Sequence, residues 1–326
     1  MKKILLVILF LCINYTLTFA SIWRVNNVPG VEADFKTLQG AIDTAQAGDT
    51  LYVEGTQFSY GSVDISKKLV IYGPGYFLEE NDSTHINQLE AKVYTLDFNS
   101  GSDGSELYGL YFTGSISVNS DNTKIEGNFI HSYVNLNDIN GCIYQKNYHN
   151  VNLLSIKKSL NVVVKNNIIR QINGHSEGSA VIYNNTVENG ISVYNSDIRN
   201  NILYKSCTSC GQGVDENTGN IIKYNLLCRD DKPSDPTNQI VEQVSLFVGD
   251  PENVTEEYST DERYKLASGS PATGAGENGV DCGAYGAATP YKLSGLPPVP
   301  RIYEASIPAS ASEESGLPVK VKIKTK

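Results

Sequence analysis

An aliphatic residue, an asparagine three positions on and an apolar residue two positions after that recur through the middle of this chain. Full copies are Ile125/Asn128/Ile130, Val164/Asn167/Ile169, Ile182/Asn185/Val187, Ile198/Asn201/Leu203 and Ile222/Asn225/Leu227, with Tyr144/Asn147/His149 as a weaker copy after the first. Successive asparagines stand 19, 20, 18, 16 and 24 residues apart. A unit of this length cannot bury an apolar face alone, so copies must stack into a solenoid. Stepping back by 18 gives Leu107/Leu110/Phe112, Leu89/Lys92/Tyr94, Ile71/Pro74/Tyr76 and Val53/Thr56/Phe58, which keep most apolar positions and lose the asparagine.

The copies are rich in β-branched and aromatic residues and punctuated by Asn-Asn and Gly, which predicts short strands joined by tight turns. Stacked coils place each strand parallel to its equivalent, about 4.8 Å away. Asparagine tolerates left-handed backbone, and its amide can bond the equivalent amide above and below. Asn128, Asn147, Asn167, Asn185, Asn201 and Asn225 are therefore expected as a ladder inside one bend. The prediction is an all-β chain, a parallel β-solenoid of about ten coils over residues 51–228. A leucine-rich repeat would need apolar residues five and eight positions before the asparagine, where Thr123, Ser196 and Asn220, then Ser120, Ser159 and Glu177, stand instead.

The flanks differ in kind. Residues 1–20 read as a signal peptide: Lys2 and Lys3 precede an apolar run over 4–13, and Thr18-Phe19-Ala20 supplies small residues before a cut. That run is too short to span a bilayer, no later one is longer, and so no transmembrane segment is expected. The expected location is exported: secreted, periplasmic or cell-surface. Residues 21–50 form an N-terminal cap in which Asp34 starts a capping helix from Phe35 to about Gln46, with Leu38, Ala41, Ile42 and Ala45 on one face. Residues 229–286 close the solenoid. Residues 287–326 hold six of the twelve prolines and six basic against three acidic residues, which leaves the body between signal and tail near -15. This Pro-rich basic tail ends in an alternating strand over 317–324, suited to edge protection or to an envelope partner.

Loss of the signal removes Cys12 and leaves Cys142, Cys207, Cys210, Cys228 and Cys282. Outside the cytosol, Cys207, Cys210 and Cys228 read as disulfide partners, with a zinc site completed by Cys142 as the alternative.

The runs Leu38-Gln39-Gly40-Ala41-Ile42-Asp43 and Ala47-Gly48-Asp49-Thr50-Leu51-Tyr52-Val53, the Asn-bearing coils and Asp281-Cys282-Gly283-Ala284-Tyr285-Gly286 resemble secreted bacterial right-handed parallel β-helix proteins of the pectin-lyase-like class. The resemblance implies an extracellular or envelope protein that meets polysaccharide. It implies no particular reaction.

In a solenoid, equivalent positions form exposed columns. Two residues before each Asn-equivalent come Tyr72, Glu90, Tyr108, Glu126, Gln145, Lys165, Tyr183, Arg199 and Lys223; three after come His131, Asn150, Arg170, Glu188, Tyr204 and Cys228. Tyr108, His131, Tyr183 and Tyr204 are the candidates for contact with sugar rings. Lys165, Arg170 and Arg199 are the candidates for lyase chemistry on uronates, which needs a base and a cation to neutralise the carboxylate. Asp230-Asp231 and Gly174-His175 hold fragments of a polygalacturonase signature in the wrong order. The acidic run Asp250, Glu252, Glu256, Glu257, Asp261 and Glu262 fits no calcium loop and reads as a solvated connection.

No metal site and no cofactor is named by any motif, and 36 acidic against 26 basic residues argue against sequence-independent nucleic-acid binding. The leading expectation is a noncatalytic carbohydrate-binding or envelope-associated protein. A polysaccharide lyase and a purely structural surface protein are the alternatives.

Overall fold

The repeat register becomes a hydrogen-bonding register. In the computed structural model, which describes residues 20–205, 213–216, 219–229, 233–252, 257–308, 310 and 316–324, Leu51 lies beside Ile71, Ile71 beside Leu107 and Leu107 beside Ile125. The series continues through Tyr144, Val164, Ile182, Ile198 and Ile222, all in parallel pairing. These side chains point inward and meet Phe98, Val118, Leu136 and Ile156 of a second parallel sheet, so one core runs the length of the coil. Among the described residues the first sheet has ten strands, from Ile22–Val25 to Ile221–Lys223, and the second has thirteen. The chain is thus a parallel β-solenoid, as expected.

It makes about eight turns rather than about ten. One local departure removes a copy, and another shifts one. Ile71 pairs directly with Leu107, so the copy at Leu89 is not a coil of its own; residues 77–90 leave the coil as an excursion, and Leu89 is 44% exposed. The first copy also sits two residues early, because Leu51 and not Val53 aligns with Ile71.

Seven asparagines, Asn128, Asn147, Asn167, Asn185, Asn201, Asn225 and Asn238, are at most 1% exposed. In each consecutive pair the side-chain oxygen of the later residue accepts from both the backbone N–H and the Nδ2 of the earlier one, at 2.9–3.2 Å. Nδ2 also donates to the preceding coil, for example Asn185 to the Val164 carbonyl at 2.9 Å. Burying an amide is unfavourable unless every group is paired, and here it is. The left-handed backbone falls one residue earlier than expected, on Gly127, Lys146, Asn166, Asn184, Asn200 and Tyr224 with φ of 52–64°.

Helix α1, Leu38–Thr44, seals the N-terminal end with Leu38, Ala41 and Ile42 in the core. Its N-cap is Thr37, whose side chain accepts from the Gly40 N–H, and not Asp34, which accepts from the Arg24 N–H at 2.7 Å. A threonine three residues ahead of Gly40 meets the capping geometry, while Asp34 is drawn to the first strand.

The closing segment returns along the asparagine bend. There Tyr76, Phe129, Tyr148, Ile168, Ile202 and Leu226 form a second core with Leu246, Phe247, Tyr264, Ala284 and Tyr291. The left-handed asparagines hold it: Asn166 Nδ2 donates to the Ala284 and Gly286 carbonyls, and Asn184 Nδ2 to the Asp281 carbonyl. Asp261, expected in a solvated run, is fully buried and accepts from Ser294 N–H, Asn81, Ser259 and Tyr291 at 2.7–3.1 Å. Burial pushes its carboxyl up against these hydrogen bonds.

Cys142, Cys228 and Cys282 are buried free thiols, so Cys228 does not take the disulfide expected of it. Burial pushes Cys228 and Cys282 up to about 12. Cys142 points into the core, away from any zinc role. Cys207, Cys210, Asp230-Asp231, Glu256 and residues 1–19 of the expected signal peptide lie outside the described residues.

Candidate functional site

The outward face of the first sheet carries the longest ordered array of polar and aromatic side chains. Arg24, Tyr52, Tyr72, Tyr108, Glu126, Gln145, Lys165, Tyr183, Arg199 and Lys223 are register partners in that order. Glu90 is absent from it, having gone with the excursion. Two residues upstream on each strand a parallel column includes Ile143, Val163, Val181 and Ile221.

The tail divides this face into halves. Running back from the closing segment, it passes Gly127 at Gly295 and Gly109 at Pro297, and reaches Thr84, where Arg301 Nε donates to the carbonyl at 2.7 Å. Beneath it Tyr52 stacks on Tyr72 with centroids 5.5 Å apart, and Tyr72 on Tyr108 at 4.8 Å. Tyr108 is only 4% exposed. Its hydroxyl donates to Glu106 and accepts from Lys124 Nζ at 3.0 Å. Burial works against the charge on Glu126, but hydrogen bonds from Lys124 and Gln145 outweigh it and hold this carboxyl below its usual range.

Between the tail, the excursion and the sheet lies a groove of about 500 Å³ lined by Tyr52, Tyr72, His85, Pro297, Val299 and Arg301, among others. Arg24 and Glu54 pair at its edge through Nε at 2.8 Å and Nη2 at 2.6 Å, and Asn26 Nδ2 donates to the other Glu54 oxygen at 2.7 Å. Burial, with Arg301 as the second cause, lowers the His85 pKa and so favours the neutral ring.

Beyond the tail the face is open. Val181, Tyr183, Asp197, Arg199, Asn200 and Glu277 line a depression of about 320 Å³, and a second of about 220 Å³ shares Val181 and Asp197. Lys165 Nζ lies 5.7 Å from the Tyr183 ring centroid. Arg199 is held by Asp197 at 2.5 Å and Glu277 at 2.6 Å. The Asp197 hydrogen bond raises the Arg199 pKa, burial opposes it, and Glu277 raises it further.

The structure therefore brings together Lys165, Tyr183 and Arg199 on successive rungs. Arg170 is elsewhere: it belongs to Ile168–Gly174 of the second sheet, and its Nη1 donates to the Val151 carbonyl at 2.7 Å. His131 is exposed at the turn after Phe129–Ile130, beside the Phe129 ring. Tyr204 is 3% exposed, enclosed by Phe247 and Tyr264, and Tyr108 lies under the tail, so neither ring offers a face to a sugar. The column three residues after the asparagine is outward only until the closing segment covers it, as Cys228 also shows.

Sequence reasoning missed Tyr52, His85 and Arg301. Tyr52 was hidden by the two-residue slip in the first copy; the run Pro297-Pro298-Val299-Pro300 was a signal for an extended segment able to lie on aromatic rings. Among the described residues no group of three or more His, Cys, Asp or Glu side chains is placed to hold a metal ion, and no helix is long and apolar enough to cross a membrane.

No protein-family model matches the chain, and no curated protein matches it. Solved structures do. A pectin methylesterase from Aspergillus niger, in deglycosylated form, is 12% identical over 78% of this chain and 92% of its own, with a TM-score of 0.26. A PL6 family alginate lyase mutant is 13% identical over 71% of this chain and 55% of its own, with a TM-score of 0.22. Likeness at this level carries no argument about chemistry.

Proposed function

We propose that this is an exported, noncatalytic carbohydrate-binding protein that holds a linear polysaccharide along the open half of the first sheet. One observation carries the reading. Ile143, Val163 and Val181 form an aliphatic column in register beside Gln145, Lys165 and Tyr183, with Ile143 40% and Val181 45% exposed, and Asp197 interrupts it before Ile221. A sugar ring has apolar C–H faces and hydroxyl edges, and an apolar strip flanked by repeated donors and acceptors matches both along a chain. An exposed apolar strip of this kind also marks an interaction surface. Export rests on the signal-like residues 1–20.

The lyase alternative is less well supported by the geometry. A base needs a lowered pKa, whereas two carboxylates hold the proton on Arg199 more firmly, and Arg170 stands on another sheet. An envelope partner belongs to the same proposal. Arg301–Ser306 and Lys320–Lys324 pair as an antiparallel hairpin with Val321 and Ile323 exposed, and such a two-stranded unit is marginal in water without a partner.

A glycan array on the mature protein, followed by affinity electrophoresis in the polymers it retains, tests the reading. The expected result is retardation without release of unsaturated, ultraviolet-absorbing products, weakened about tenfold in Val181→Lys and Tyr183→Ala. Turnover, or binding to none of a broad set of neutral and acidic glycans, would sink it.

A further inference from the structure

We infer that the groove roofed by the tail is a separate site for a small organic carboxylate with a six-membered ring, and that Arg301 receives the carboxylate. Arg301 is 9% exposed, and its Nε is committed to the Thr84 carbonyl at 2.7 Å. Its Nη1 is buried with no hydrogen-bond partner. A buried guanidinium nitrogen without an acceptor is costly, and an anion in the groove would supply the acceptor it lacks. The planar guanidinium presents two parallel donors, the geometry a carboxylate accepts.

The rest of the groove selects for one negative charge and a flat or ring-shaped body. Glu54 is already satisfied by Arg24 and Asn26, so it neither attracts a cation nor competes for Arg301. The His85 Nδ1 accepts from the Asn87 N–H at 3.2 Å, which leaves the ring proton on Nε2 as a further donor. Tyr52, Tyr72, Pro297 and Val299 supply apolar walls and two phenol hydroxyls. A volume of about 500 Å³ is that of a small-molecule pocket. Arg301 is held in place from both sides, since the next residue, Ile302, accepts from the Ile86 N–H of the excursion at 2.9 Å. The carboxylate has two sources with the same chemistry: a free acid, or the terminal acidic unit of a glycan.

Isothermal titration calorimetry of the full mature chain with matched pairs tests the assignment. The probes are glucuronate against glucose, cyclohexanecarboxylate against cyclohexylmethanol, and an oligosaccharide ending in glucuronate. The acids should bind about 10- to 100-fold more tightly than their neutral partners, and Arg301→Gln should remove that preference. Tighter binding of the oligosaccharide than of glucuronate identifies a chain end as the natural source; the reverse identifies a free acid. Equal affinity for acid and neutral members in the wild type, or no heat from any acid at millimolar concentration, overturns the assignment without recourse to a variant. Val181→Lys, on the open face, should leave the acid preference intact, so failure of this site and failure of the polysaccharide reading are separable.

Discussion

The same outward column has two characters in its two halves. From Tyr52 to Tyr108 the side chains are aromatic, stacked and roofed, and Tyr108 is 4% exposed. From Lys165 to Lys223 three cations and one ring stand in the open, and the Val181 beside them is 45% exposed. Repeat register alone would make the two halves equivalent. The tail makes the difference, because it returns over the N-terminal half. A solenoid face is thus a neutral scaffold until a non-repeating segment crosses it, and burial then converts a surface row into a pocket wall.

That contrast can be broken most directly at Gly295, where φ is 53° and an added Cβ would overlap Tyr76 and the Gly127 carbonyl oxygen. Gly295→Ala should lift the tail and cost about 4 kcal/mol, the sum of left-handed strain and overpacking. Urea denaturation measures the cost, and limited proteolysis of the tail reports the lifting; an unchanged midpoint with a protected tail would mean the roof is not anchored there.

The next largest effect separates equivalent tyrosines. Tyr108→Ala should cost about 3 kcal/mol, as expected for emptying a buried aromatic site, whereas Tyr183→Ala should stay within about 0.5 kcal/mol. Similar costs at the two positions would erase the distinction between the halves.

Acid should act on the core beneath both halves. His149 is fully buried, with Nδ1 2.9 Å from the Tyr144 hydroxyl and Nε2 2.6 Å from the Ser132 carbonyl, and burial depresses its pKa from 6.5 to about 4. As pH falls below 6.5 the unfolded chain takes up a proton that the native chain refuses. This group's contribution is therefore intact above 6.5 and declines toward pH 4 by about 3 kcal/mol. His149→Gln should remove that share of the slope in denaturation midpoints measured from pH 7.5 to 4.5; an unaltered slope would place the acid sensitivity elsewhere. The smallest effect belongs to Val181→Lys, which should leave the midpoint within about 0.5 kcal/mol while weakening polymer binding.

How much of this was legible depends on the type of interaction. Ile125, Val164, Ile182 and Ile198 mark the core from sequence because inward positions repeat with the coil. Asn238, which extends the asparagine series, has no such frame around it and was missed. The slip at Leu51 and the excursion after Ile71 were illegible because there the asparagine is missing and apolar periodicity alone admits more than one alignment. Asp230-Asp231 and the cysteine pair 207 and 210 fall outside the described residues.

Sequence by itself determined the parallel coil, its inward residues and the outward rank of Lys165, Tyr183 and Arg199, since each follows from nearest-neighbour stacking of similar units. Tertiary structure alone decided that Tyr108 and Tyr204 are buried, that Arg199 is held by Glu277 from 78 residues away, and that Arg301 lines one groove with Tyr52 and Tyr72. Those contacts join repeat to non-repeat segments, and no periodicity encodes where a chain that has left the coil will come to rest.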